Sequence, residues 1–323
     1  MSGKQHDHGN SVLKAVLGLS IAAGGGWIIY TRLKSGKTQP LPQAIGSERS
    51  QFDTPAGRVS YYVESTTPGT PLLLIHSINA APSAYEVQPL FQHFRQSRPV
   101  YAPDLPGFGL SERRDQRYSP ELYADTIAAL IREEIGQAVD VVALSLGCEF
   151  VARAALQHPD WFRSLVFISP TGFNASDVDI PEEALYRIFS FPLWSQPFFD
   201  LLITRPSIRF FLNKSFVGEV PTEFVEYAYA TAHQPGARYA PLYFVSGQLF
   251  TTGVRQSIYS KLDVPTLVLY DKDPNVTFDK LPDLLKENPR WQAVRISPSL
   301  GLPHWEKLEE TTTALDTFWG SVS

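Results

Sequence analysis

Near-continuous apolar runs, Leu72–Ile75, Val139–Leu144 and residues 165–168, limit what this chain can fold into more than any other feature. A strand with one wet face alternates apolar and polar residues, whereas an unbroken run suits a strand buried on both faces of a parallel sheet. Further extended segments are expected at residues 99–102, Thr266–Tyr270 and residues 293–296, and a hairpin at residues 51–53 and 58–64 around Pro55-Ala56-Gly57. Helical patterns fall between them, at residues 83–96, 119–135, 146–158 and 306–319. Ser119-Pro120 is a helix start, with Ser as cap and Pro in the first turn. This order predicts an α/β fold with a mostly parallel central sheet flanked by helices.

One stretch breaks the rhythm. Residues 170–263 contain no buried-strand pattern but many aromatics, among them Phe189, Phe191, Trp194, Phe199, Phe210, Phe216, Phe224, Tyr227 and Tyr243. They predict a helical cap inserted between two parts of the core, residues 51–169 and 264–323. Most of the aromatics are expected to pack the cap onto the core. A cap over the C-terminal ends of parallel strands also covers the place where α/β sheets bind ligands.

The N-terminal residues differ. Residues 12–30 are apolar or small apart from Lys14 and Ser20, with Trp27 and Tyr30 near the end and Arg32, Lys34 and Lys37 following. That length approaches the roughly 20 residues of a spanning helix, and the flanks suit a bilayer interface. A membrane anchor is expected, preceded by a polar tail at residues 1–11 and followed by a linker at residues 31–50; a cleaved signal and a helix packed on the protein are the alternatives. Flanking charge slightly favours a cytoplasmic catalytic part. A net charge of −5 argues against a nucleic-acid partner. The single cysteine, Cys148, excludes an internal disulfide and a cysteine-rich zinc site.

Chemistry concentrates at Ala143-Leu144-Ser145-Leu146-Gly147, between a strand pattern and a helix pattern. A nucleophile on such a turn is strained and exposed, and its neighbours two residues away must be small. Ser145 is therefore the candidate nucleophile, against the plainer reading of a helix-capping serine. A hydroxyl needs an adjacent base. His304 lies after the last strand and before the last helix, where the order Ser, acid, His puts the base. His76, His93, His158 and His233 are expected to be structural, and His6 and His8 belong to the tail. The acid is expected to be Asp273, with Asp271 and then Asp177 as alternatives. Backbone N–H groups of Leu146 and Ile78, or Ser77 in place of Ile78, are expected to hold an oxyanion. This chemistry requires no metal or organic cofactor.

Together these residues resemble the capped serine-hydrolase branch of the α/β-hydrolase fold family, over about residues 52–319. His76-Ser77 resembles the family's His-Gly oxyanion motif, and the stretch from Asp104 to Ser111 (DLPGFGLS) is similar to its loop after the fourth strand. Two departures stand out: Ser77 and Pro303 occupy positions where Gly is common. The resemblance implies cleavage of an ester-type bond in an apolar or lipid-like small substrate through an acyl-enzyme on Ser145. An acyltransferase, a carbon–carbon bond hydrolase and a non-catalytic ligand-binding member are the alternatives.

Overall fold

The structure is a computed structural model that describes residues 40–174 and 182–322. The apolar run at 12–30 and Asp177 lie outside the described residues. Among the described residues no helix is long and apolar enough to cross a membrane.

In chain order the strands and helices of the first half are β1 (Glu48–Thr54), β2 (Gly57–Glu64), β3 (Leu72–Ile75), α1 (Gln88–Phe94), β4 (Val100–Pro103), α2 (Pro120–Leu130), β5 (Val139–Leu144), α3 (Gly147–Gln157) and β6 (Phe162–Ile168). Among the described residues six short helices follow: α4 (Glu182–Phe189), α5 (Ser195–Leu202), α6 (Arg205–Asn213), α7 (Thr222–Ala232), α8 (Tyr239–Val245) and α9 (Val254–Ser257). The core then resumes with β7 (Thr266–Tyr270), α10 (Leu281–Glu287), β8 (Trp291–Arg295), α11 (Pro303–Glu306) and α12 (Leu308–Ser321). The described residues thus place only helices and loops between β6 and β7, as the aromatic-rich stretch predicts.

The eight strands form one sheet in the order β1-β2-β4-β3-β5-β6-β7-β8. The β1–β2 hairpin and the β2–β4 pair are antiparallel, and all other pairs are parallel. β3 and β5 are buried along their whole length. Successive side chains alternate between two cores: Leu73, Ile75, Val141, Ala143 and Phe167 fill one face, and Leu72, Leu74, Val142, Leu144 and Val166 the other.

Several sequence boundaries shift, each for a local reason. The helix expected at 83–96 begins as a 3-10 turn, Ala84–Val87, and restarts as α1 with Pro89 in its first turn. Its cap is Ser83, whose side chain accepts the Tyr85 N–H at 3.3 Å. α2 starts under the Ser119 cap as expected, but passes into a wider π-helical turn at Ile131–Ile135 that Gly136 closes with φ +71°. The last strand is Trp291–Arg295 rather than residues 293–296, because its ladder with β7 begins at Thr266↔Trp291. The closing helix divides into α11 and α12 at Lys307, whose φ of −133° is not helical.

The sheet order also fixes where a site can form. The chain leaves β3 for β4 on one side, then crosses to β5 on the other side of β3. Loops leaving β3 and β5 therefore diverge, opening a crevice at the C-terminal ends of these strands. Ile75 of β3 is in register with Ala143 of β5, so the residues just after each stand side by side.

Candidate active site

Ser145 directly follows β5 with φ +49°, a left-handed conformation that residues other than Gly rarely adopt. Such strain costs about 1–3 kcal/mol and persists only where neighbours impose it. Here the Ser145 N–H donates to the Ile168 carbonyl at 2.9 Å, and the Ser145 carbonyl accepts the Cys148 N–H at 3.1 Å. The residue is pinned between sheet and helix. The small neighbours are required for contact reasons: a Cβ at Gly147 would lie 2.7 Å from the His76 carbonyl oxygen, and Ala143 is fully buried. Ser145 itself is half-buried.

The donors expected to hold an oxyanion separate cleanly. Leu146 opens the first turn of α3, where an N–H has no intrahelical acceptor. Ser77 donates its N–H to Glu86 Oε2 at 2.8 Å. The Ser77 N–H is thus already committed, whereas the Ile78 N–H finds no acceptor among the described residues. Glu86 also accepts from Asn79 Nδ2 at 2.8 Å, and Asn79 Oδ1 accepts the Ala81 N–H at 2.8 Å. One buried carboxylate thus shapes the loop after β3, and burial raises its pKa. Glu86 does not stand out in the sequence. Its only signal was the Ser83-x-x-Glu86 spacing, which reads as a helix-start box, whereas its carboxylate reaches back nine residues.

His76 is structural, as expected. Its Nδ1 faces the Ser77 carbonyl at 2.6 Å and its Nε2 accepts the Leu105 N–H at 2.9 Å, which fixes the neutral tautomer. Burial pushes its pKa down to about 4. His93 and His233 are exposed on α1 and at the end of α7, and His158 stacks on Trp161.

The two aspartates after β7 have different surroundings. Asp271 accepts Arg295 Nε at 2.6 Å and the Ser299 N–H at 3.0 Å, so both oxygens are engaged; these bonds hold its pKa low against the opposing effect of burial. Asp273 uses only Oδ1, for the N–H groups of Asn275 and Val276 at 2.7 and 3.2 Å. Its Oδ2 faces Gly301, where an added Cβ would lie 3.0 Å away. Asp273 therefore adjoins the loop that carries His304, with one oxygen free of hydrogen bonds among the described residues. Burial raises its pKa.

His304 occupies α11 rather than a loop, because Pro303 starts a helical turn immediately before it. The turn sends the ring inward: His304 is fully buried, and its Nε2 lies 2.7 Å from the Glu86 carbonyl oxygen. A carbonyl only accepts, so Nε2 carries the proton, and Nδ1 is left buried without a partner among the described residues. Desolvation pushes the pKa down to about 4. The same carbonyl accepts Trp305 Nε1 at 2.7 Å. No hydrogen bond joins Ser145, His304 and Asp273 in this arrangement. The base expected from the sequence is thus held on the backbone of the turn that organises the loop after β3.

A model of the Alpha/beta hydrolase family matches residues 72–311, most of the chain. The chain belongs to the α/β-hydrolase family. A 2-hydroxymuconate semialdehyde hydrolase from a Pseudomonas species is 35% identical over 109 residues, 33% of this chain and 38% of that protein. An esterase from Mycobacterium tuberculosis is 42% identical over 74 residues, 23% of this chain and 25% of that protein. The chain thus matches well under half the length of these curated relatives. Among solved structures, a bacterial membrane phospholipase A has a similar fold, with a TM-score of 0.65, 22% identity, and 96% of this chain and 98% of that one covered.

In this α/β-hydrolase the stretch from Asp104 to Ser111 is a brace rather than a simple turn. Asp104 accepts the N–H groups of Ala84 and Leu110, each at 2.8 Å. Gly109, at φ +50°, presses against that carboxylate: a Cβ there would sit 1.9 Å from its Cγ. Burial pushes the Asp104 pKa up to about 6. Through Ala84 the brace holds the turn bearing Glu86. The aromatic cap residues packed here follow the plainer expectation: Tyr85 stacks on Tyr227 of α7 at 4.8 Å and on Trp305 at 5.7 Å. Phe191, Trp194 and Phe210 instead remain exposed.

Proposed function

We propose that this α/β-hydrolase is a serine esterase acting on an apolar or lipid-derived acyl substrate, with Ser145 as nucleophile, His304 as base and Asp273 as its acid partner. The strained Ser145 turn carries the reading, because a serine serving only as a helix cap needs no left-handed conformation beside uncommitted N–H donors. Ser145 Oγ attacks the ester carbonyl carbon, and the resulting oxyanion is received by the N–H groups of Leu146 and Ile78. The hydroxyl proton passes to His304 Nε2 and then to the departing alcohol, leaving an acyl-enzyme. Water then adds with His304 taking its proton, and the carboxylic acid leaves as Ser145 is restored.

For these steps the His304 ring leaves the Glu86 carbonyl and changes tautomer, so that Nδ1–H meets Asp273 Oδ2 and the Nε2 lone pair meets Ser145. The position of Asp273 beside Gly301 supports a short path for that change. Purified full-length chain is expected to release nitrophenol from p-nitrophenyl butyrate with a burst of about one equivalent. His304→Ala and Ser145→Ala should each abolish it; turnover unchanged in either variant overturns the assignment. Likeness to the semialdehyde hydrolase relative favours a second reading, carbon–carbon bond hydrolysis, which the release of a free enol or ketone from a vinylogous 1,5-diketone would reveal.

Residues 12–30 are proposed to anchor the protein in a membrane, with the catalytic part on the cytoplasmic side. Likeness over nearly the whole chain to a protein described as a membrane phospholipase A supports both the anchor and a lipid-derived substrate. Alkaline carbonate should leave the chain in the membrane pellet; full release into the supernatant contradicts the anchor.

A further inference from the structure

Glu149 lies one turn beyond Ser145 on α3, is 2% exposed, and has no part in the chemistry above. Its carboxylate is held by residues from both ends of the excursion between β6 and β7. On the outgoing limb, Thr171 Oγ1 donates to Oε1 at 2.5 Å. On the returning limb, the Thr251 N–H donates to Oε2 at 2.8 Å. A second contact from the same helix reinforces the returning limb, where Arg153 Nη2 donates to Thr251 Oγ1 at 3.1 Å. The limbs also touch directly: Gly172, at φ +89°, packs so closely on Val254 that a Cβ would lie 2.3 Å from its Cγ1.

We propose that Glu149 is a positioning residue that latches both limbs of the cap to the helix behind the nucleophile, and that loss of its proton releases the latch. The protonated carboxyl keeps every contact: Oε1–H donates to Thr171 Oγ1 while Oε2 still accepts from Thr251. The ionised carboxylate keeps the same partners but is a buried charge, which parting of the limbs would hydrate.

Among the described residues, the charged and titratable groups facing this carboxyl are few. Arg153 and Cys148 stand on its own helix and Tyr259 on the turn after α9. Glu121 of α2 pairs with Arg153 at 3.1 Å and draws on the same cation. Burial outweighs the Thr171 and Thr251 hydrogen bonds and Arg153, and pushes the Glu149 pKa up to about 7. A raised carboxyl stabilises the closed form fully below its ordinary pKa, and that stability is lost as pH rises toward the raised value.

Hydrogen exchange of the full-length chain, followed by mass spectrometry, tests this without reference to any substrate. With rates divided by the intrinsic exchange rate at each pH, opening at residues 171–174 and 247–254 is expected to increase about tenfold between pH 6 and pH 8. In Glu149→Gln the amide can still accept from Thr251 and donate to Thr171, so the rise should vanish. A rise of equal size in the variant, or no rise in the wild type, overturns the proposal. Should the Gln variant fail to fold, Thr171→Val, which loosens only the outgoing limb directly, should also raise exchange at residues 247–254 at pH 6; unchanged exchange there would count against a shared latch.

Discussion

The two ends of β5 carry polar residues under opposite conditions. At the N-terminal end Asp140 is fully buried, and its oxygens accept from Arg163 Nε and Nη2 at 2.8 and 2.6 Å, from Ser164 Oγ at 2.5 Å, and from Arg98. Every lone pair has a use. At the C-terminal end Ser145 is strained, and among the described residues the N–H groups of Leu146 and Ile78 lack acceptors, Asp273 keeps one oxygen free, and His304 Nδ1 is buried unpaired. A strand whose lower end is closed by satisfied charges can hold unsatisfied groups at its upper end, where a reaction can satisfy them instead.

Substitutions can break that contrast, beginning with the largest effect. Ser145→Ala should lower esterase turnover by about 10⁴- to 10⁶-fold with the urea midpoint almost unchanged; a large drop in both would mean that Ser145 is structural. Asp140→Ala leaves two guanidinium groups facing a vacant site and should cost about 3–5 kcal/mol in urea unfolding, while turnover per folded molecule stays near wild type. Gly147→Ala drives a methyl against the His76 backbone and should cost about 1–3 kcal/mol together with a loss of turnover, since the two loops flanking the crevice must part. Smallest is Ser145→Gly, which removes the penalty of positive φ and should raise stability by about 1 kcal/mol.

The same contrast explains what the sequence discloses. Burial on both faces leaves a continuous apolar run, so β3, β5 and β6 are legible, and the strained turn is legible because Ala143 and Gly147 must be small. The different surroundings of Asp271 and Asp273 are not, since they depend on Arg295 at the end of β8 and Ser299 in the loop after it engaging the first of them. Chain order locates His304, but not the direction of its ring, which follows from the helical turn that Pro303 starts and from the Glu86 carbonyl. Glu86 itself was hidden because its partners lie in a preceding loop, beyond the reach of local spacing rules.

Reaction of the full-length chain with a fluorophosphonate, followed by peptide mapping, tests the nucleophile most directly. One covalent adduct is expected, on Ser145, absent from Ser145→Ala and strongly slowed in His304→Ala. An adduct on another residue, or none on folded wild-type protein, would contradict Ser145 as the nucleophile.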